Sequence, residues 1–227
     1  MARLAGTAPP HPIQTVRKAA AADVASVARA LAEAFYDDPV MSWFFRDDDR
    51  RMRQLERGFA LFMKDVYLQH GETYTTEGLV GGALWAPPGK WHVGLPGQIR
   101  LLPRLVAAAG RELPRFLRGL AFIESRHPHE PHYYLGALGV KPEWQGKGLG
   151  GALMRPVLER CDRENVPAYL EASTPRNRAL YLRNGFEVVE EVTMPGGGPP
   201  AWLMWRAPAT EQERLVSDTE RSIASRR

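Results

Sequence analysis

Gln145-Gly146-Lys147-Gly148-Leu149-Gly150-Gly151 sets four glycines and one lysine between a strand-like run and a helix-like run. Upstream, residues 132–140 (HYYLGALGV) are mostly apolar or aromatic and punctuated by glycine, which predicts a largely buried strand ending at Lys141-Pro142. Downstream, Leu149, Leu153, Val157 and Leu158 recur at helical spacing through Cys161, so a helix over 149–163 begins inside the glycine cluster. The first turn of a helix carries unpaired N–H groups and the positive end of a dipole. Glycines let a phosphate reach those groups with no Cβ in the way, and Lys147 adds a point charge.

Known phosphate loops differ from this one in detail. A Walker A loop needs Ser or Thr after its lysine, and Lys147 is followed by Gly148. A dinucleotide fingerprint needs G-x-G-x-x-G with an acidic residue about 20 residues on; the run from Gly146 fills its glycine positions but reads G-x-G-x-G-G, with an extra glycine at Gly150. A nucleotide phosphohydrolase is therefore disfavoured.

The loop resembles the acyl-CoA pyrophosphate loop of the GNAT superfamily of N-acetyltransferases, whose Gln or Arg, Gly and Gly or Ala positions are filled by Gln145, Gly148 and Gly150. The resemblance continues through residues 166–173 (VPAYLEAS), like the family's next strand, and 177–186 (NRALYLRNGF), like its following helix with the terminal Gly-Phe. Within the superfamily the run is similar to puromycin N-acetyltransferase-like members, well over 131–206 and loosely before that. The resemblance implies an α/β GNAT acyl-CoA N-acyltransferase fold, with a mixed central sheet of about six to seven strands flanked by helices. It implies acetyl-CoA as co-substrate, with no metal. It also implies an acetyl group moved to a primary amine of a small molecule, antibiotic-like amines included, by direct attack in a ternary complex. A non-catalytic acyl-CoA-binding regulatory module and a peptide or protein N-acetyltransferase are the alternatives.

Composition fits one soluble domain. At 227 residues the chain lies within the size of a single core, and 44% hydrophobic with 25% charged residues is ordinary for a globule. The single cysteine, Cys161, makes no internal disulfide, which suits a reducing cytoplasm. No apolar run reaches the roughly 18 residues of a membrane span, and the first twelve residues lack the apolar centre of a secretory signal. A net charge of +4 raises nucleic acid as a partner, but the basic residues are dispersed, which argues against it. A monomer and a homodimer fit equally.

Along the chain, residues 1–12 read as a flexible N-terminus, 13–207 as the acetyltransferase domain and 208–227 as a polar tail. Strands are expected at 13–17, 72–76, 79–86, 132–140, 167–173, 186–194 and 200–206. Helices are expected from an Asp23 N-cap to Phe35, over 49–68, at 149–163 and at 176–184. One or two further helices, interrupted by Pro103 and Pro114, fill 97–126 on the acceptor side. Gly139 fits a bulge in its strand.

Acetyl transfer from a thioester needs an oriented thioester, a deprotonated amine and a proton for the leaving thiolate. The resemblance assigns Leu138, Gly139 and Val140 to the pantetheine arm, Gln145, Gly146, Lys147, Gly148, Leu149, Gly150 and Gly151 to the pyrophosphate, and Ser173 and Asn177 to further cofactor contacts. Asn177 serves equally as a helix cap, and the neighbouring Arg176 is a lesser candidate. Tyr181 falls where the family places its general acid and also contacts cofactor; the other reading is a tyrosine that packs its helix on the sheet. Glu171, mid-strand in an apolar run, is the base candidate and a substrate contact, or else a carboxylate paired with a base such as an arginine. His132 is a second base candidate or a surface residue at a strand start. His127, His129 and His132 with Glu130 match no defined metal-ligand spacing. Phe35, Asp38, Trp43 and Trp85 are the acceptor-pocket candidates, with Trp91 as a further wall: aromatics beside carboxylates suit a cationic amine, and filling the core is the competing role.

Overall fold

The computed structural model of the protein describes residues 14–46 and 48–209. The expected N-terminal segment 1–12 and nearly all of the 208–227 tail lie outside the described residues. One seven-stranded sheet organises the rest: β1 (Val16–Lys18), β2 (Thr73–Thr76), β3 (Gly81–Ala86), β4 (Tyr133–Val140), β5 (Ala168–Ala172), β6 (Glu187–Thr193) and β7 (Pro200–Arg206), in the order β1-β2-β3-β4-β5-β7-β6. Every pair is antiparallel except the central β4–β5 pair. The helices are α1 (Val24–Phe35), α2 (Pro39–Phe44), α3 (Asp48–Phe62), α4 (Leu95–Ala109), α5 (Leu113–Glu124), α6 (Leu149–Glu164) and α7 (Pro175–Leu182).

Both faces of the sheet are covered, which is why β4 reads as an almost unbroken apolar run. On one face α6 inserts Leu153, Met154, Val157 and Cys161 against Leu135, Leu138, Leu170 and Met204. Full burial of each such side chain contributes about 1.5–3 kcal/mol. On the other face Val27 and Leu31 of α1 meet Met63, Leu84 and Ala137. A separate cluster joins α2 to α5 through Phe44, Phe45 and Phe116, with Leu55 of α3.

Several local expectations change. The first strand begins at Val16 instead of residue 13. Asp23 holds the N-cap position of α1, as expected, but its side chain makes no capping hydrogen bond to that helix. Its carboxylate instead accepts the Ala20 N–H at 2.8 Å and pairs with Arg17, whose guanidinium holds it down at about 2. The single helix expected over 49–68 is α3 followed by a π-turn, Met63–Tyr67, that buries Met63, Val66 and Tyr67. Pro103 lies inside an unbroken α4, and Pro114 sits in the first turn of α5, where a missing N–H costs nothing.

The bulge falls at Gly136, not Gly139. Leu84 pairs with Ala137 and Trp85 with Leu135, so Gly136 is the extra residue. A side chain there would run into the Tyr67 hydroxyl. Gly139 is a close-approach position instead: a Cβ would stand 2.9 Å from both Ala34 and Leu31 of α1.

Candidate active site

The bulge and the parallel pairing together open the sheet. β4 and β5 are in register only from Tyr133 to Leu135 against Ala168 to Leu170, and beyond that they diverge. The Lys141 N–H donates to the Val80 carbonyl on the β3 side at 2.9 Å. Strand alternation then turns the main-chain groups of Val140 and Leu138 away from β3, into the gap. A cavity of about 670 Å³ fills it, lined by Leu138, Gly139 and Val140 on one side and by α7 on the other.

The glycine loop forms one end of this cavity. Gly146 and Gly148 take φ of 77° and 79°, a conformation that penalises any side chain. Gly148 is the N-cap of α6, so the N–H groups of the first turn, at Leu149, Gly150 and Gly151, have no helical partner and lie at the cavity wall. This arrangement suits an anion. Gln145 braces the loop by donating to the Val140 carbonyl at 3.0 Å while accepting from Arg176 at 2.7 Å.

The other end gathers side chains. Phe35 at the end of α1, Asp38 and Tyr181 line the cavity here. Asp38 caps α2 by accepting from the N–H groups of Val40 and Met41 at 2.9 and 3.1 Å, and it also accepts the Ser173 hydroxyl. Burial pushes its carboxyl up, and these hydrogen bonds pull it partly back. Burial, reinforced by the charges of Asp38 and Glu171, holds the Tyr181 phenol well above its ordinary value. Tyr181 is therefore protonated at neutral pH.

Of the sequence candidates, the cavity unites Phe35, Asp38, Leu138, Gly139, Val140, Gln145, Gly146, Gly148, Leu149, Gly150, Gly151, Asn177 and Tyr181. Seven stand apart from its lining. Lys147 folds back to donate to the Glu143 carbonyl at 2.8 Å, over the Trp144 ring. Ser173 is spent on Asp38. Trp43 packs against Phe44, and Trp85 is fully buried in the α6-side core. Glu171 is partnered by no arginine: it accepts the Tyr134 hydroxyl at 2.9 Å, and its side chain keeps 14% exposure. His132 is not a surface residue but 1% exposed, and burial lowers its readiness to take a proton. Trp91 stacks on His127 with ring centroids 3.7 Å apart. The cap of α7 is Thr174, whose hydroxyl accepts the Asn177 N–H at 3.1 Å.

Sequence reasoning missed Arg183 and Leu180, and it undervalued Arg176; all three line the cavity. Their spacing, 176, 180 and 183, is one helical face and was the available signal. Cys161 is buried on α6 and its thiol is pushed up to about 12 by that burial, which leaves it a packing residue. Among the described residues no helix is long and apolar enough to cross a membrane, and no group of three or more His, Cys, Asp or Glu is set to hold a metal.

Known proteins resemble this arrangement. The model of the acetyltransferase (GNAT) family matches residues 104–186, which span β4, the glycine loop, α6, β5 and α7. An uncharacterised N-acetyltransferase of Schizosaccharomyces pombe is 26% identical over 224 residues, covering 92% of this chain and 90% of that protein. The crystal structure of a histone acetyltransferase HPA2 and related acetyltransferase from Corynebacterium glutamicum is 29% identical, covers 87% of this chain and 97% of that one, and superposes with a TM-score of 0.67. A Drosophila melanogaster polyamine N-acetyltransferase shares the fold at 16% identity, with a TM-score of 0.58 over 86% of this chain and 100% of that one. The matched segment and these relatives make the chain similar to acetyltransferases of the GNAT family, and its mixed seven-stranded sheet has the topology of that fold.

Proposed function

We propose that the protein moves an acetyl group from acetyl-CoA to a primary amine of a small cationic molecule, by direct attack in a ternary complex. The observation that carries this reading is the divergence of β4 from β5 into a cavity with an anion-binding helix start at one end and a protonated phenol at the other. The N–H groups of residues 148–151 would hold the pyrophosphate, with Asn177 and Arg176 beside it. The exposed strand groups of Leu138 and Val140 would pair with the pantetheine amides, and one such N–H would polarise the thioester carbonyl. The amine enters on the side of Phe35 and Asp38, where a buried carboxylate favours a cation. Glu171 accepts its proton, directly or through water, as nitrogen attacks the acetyl carbon. Tyr181 protonates the departing thiolate. Cys161, buried and held as a thiol, offers no acyl-enzyme route.

Residues 13–207 would act as one catalytic domain, and the single unpaired cysteine suits a cytoplasmic setting. An amine library assayed by thiol release from acetyl-CoA tests the reading, with puromycin, aminoglycosides, polyamines and N-terminal peptides included. Turnover of a small cationic amine is the expected result. Thiol release with peptides alone would move the acceptor class to proteins, and acetyl-CoA binding with no turnover on any amine would overturn the enzymatic reading.

A further inference from the structure

Behind Glu171 lies a buried pair of histidines that the mechanism above does not use. His127 Nε2 and His132 Nε2 are 2.9 Å apart, and His132 Nδ1 is 2.6 Å from the Glu130 carbonyl oxygen. On the other side, His127 Nδ1 faces Glu171 Oε1 at 3.8 Å, and that oxygen is buried with no hydrogen-bond partner. Both imidazoles are nearly inaccessible, at 5% and 1% exposure.

These contacts fix where the protons are. A carbonyl oxygen only accepts, so His132 Nδ1 carries a hydrogen. A neutral His132 then presents a lone pair at Nε2, and the 2.9 Å contact requires His127 Nε2 to donate. A neutral His127 in turn presents a lone pair at Nδ1, directed at a carboxylate oxygen. Two acceptors repel, which accounts for the separation of 3.8 Å. The chain is short of one proton, and the vacancy lies between Glu171 and His127.

We propose that His127 and His132 form a proton reservoir behind Glu171, filled by the proton that leaves the acceptor amine. This rests on the acetyl-transfer reading above. The amine lone pair forms the new N–C bond while its proton passes to a Glu171 oxygen. The Glu171 O–H then gives the proton to His127 Nδ1, regenerating the carboxylate. His127 becomes an imidazolium that donates to Glu171 on one side and to His132 Nε2 on the other, so the charge is hydrogen-bonded at both ends. When product and CoA leave, the proton returns through Glu171 to water in the open cleft. The two histidines never touch substrate: they act through Glu171, as positioning residues for its proton.

The surroundings restrain this pair without competing for its proton. Trp91 stacks on His127, and Tyr134 and Tyr169 present their rings edge-on to it at 4.8 Å. Trp205 covers His132 from β7. The titratable groups around the cluster are Glu171 and Tyr169 of β5, Tyr134 of β4, Tyr67 of the π-turn, Glu190 of β6 and the Glu130 carboxyl. The three phenols are all held protonated by burial, so none is a rival acceptor.

Two measurements on the full chain test the proposal. Nitrogen NMR of the imidazoles near pH 8, without substrate, should find His127 protonated at Nε2 and His132 at Nδ1. Like tautomers, or a His127 already doubly protonated, would overturn it whatever the amine assay gives. In steady-state kinetics, His127→Phe keeps a ring against Trp91 and removes both nitrogens. Its kcat should fall on the order of tenfold or more, with the acid limb of the pH profile displaced and KM for both substrates within about twofold. An unchanged kcat and acid limb would overturn the reservoir and leave the acetyl-transfer reading in place. His127→Gln and His132→Gln provide the same readout should the phenylalanine variant fail to fold.

Discussion

The two ends of the cavity are made of different material. The anion end is main chain: glycines at φ of 77° and 79°, the first N–H groups of α6 and the unpaired edge of β4. The end proposed for the acceptor is side chain: Phe35, Asp38 and Tyr181 at the wall, with Ser173 bonded to Asp38 and Tyr134 bonded to Glu171. Backbone cradles recognise a group common to many ligands, whereas side chains can be exchanged one at a time without disturbing the fold. On the proposed reading, one cavity joins a main-chain half to a side-chain half.

The largest effect should come from Tyr181, the proposed acid. Tyr181→Phe preserves the ring contact with Phe186 but removes the proton, so kcat should drop about 10²–10⁴-fold with acetyl-CoA affinity intact. Steady-state rates beside calorimetric binding check this, and an undiminished rate on every amine would remove Tyr181 from the chemistry. Next comes the main-chain end. Gly148→Ala forces a Cβ into left-handed geometry at the N-cap of α6, costing roughly 1–2 kcal/mol, so acetyl-CoA should bind about 5–30-fold more weakly with amine KM little changed. Weakening of both ligands together would show that the halves are not separable.

The side-chain end should respond in the opposite sense. Asp38→Asn keeps an oxygen for the Val40 and Met41 N–H groups, so the melting temperature should hold, while KM for a cationic amine rises roughly tenfold, as expected when a charge-assisted contact is lost. A large loss of stability with unchanged KM would make Asp38 a structural cap alone. The smallest effect is a null. Cys161, its thiol pushed up to about 12, should resist an aromatic disulfide reagent at pH 8 until denaturant is added. Rapid modification of the native protein would reopen a covalent route.

The difference in material also decides what the sequence reveals. Glycine spacing encodes a helix start directly, so residues 145–151 mark the beginning of α6, and the apolar runs of residues 132–140 and 168–173 mark the central strands. The acceptor end is assembled from segments around 35, 130, 170 and 181, and no local pattern records which of their side chains converge. Trp85 illustrates this: its aromatic character fits a pocket, yet the pleat after the Gly136 bulge turns it into the core. Gly139 was legible as special but not as to why, because its constraint is the approach of α1, a partner more than a hundred residues distant in sequence. His132 reads as a strand-start polar residue until Trp205 and Tyr169 are seen to cover it.

The three-residue junction between β4 and β5 has a mechanical consequence. Four strands lie on one side of it and three on the other, so the protein consists of two plates hinged at a short seam and held by α6. A ligand whose amides pair with Leu138 and Val140 would act as an eighth strand and close the seam. Amide exchange at those two positions should slow when it binds, and protection should rise on both sides of the seam together.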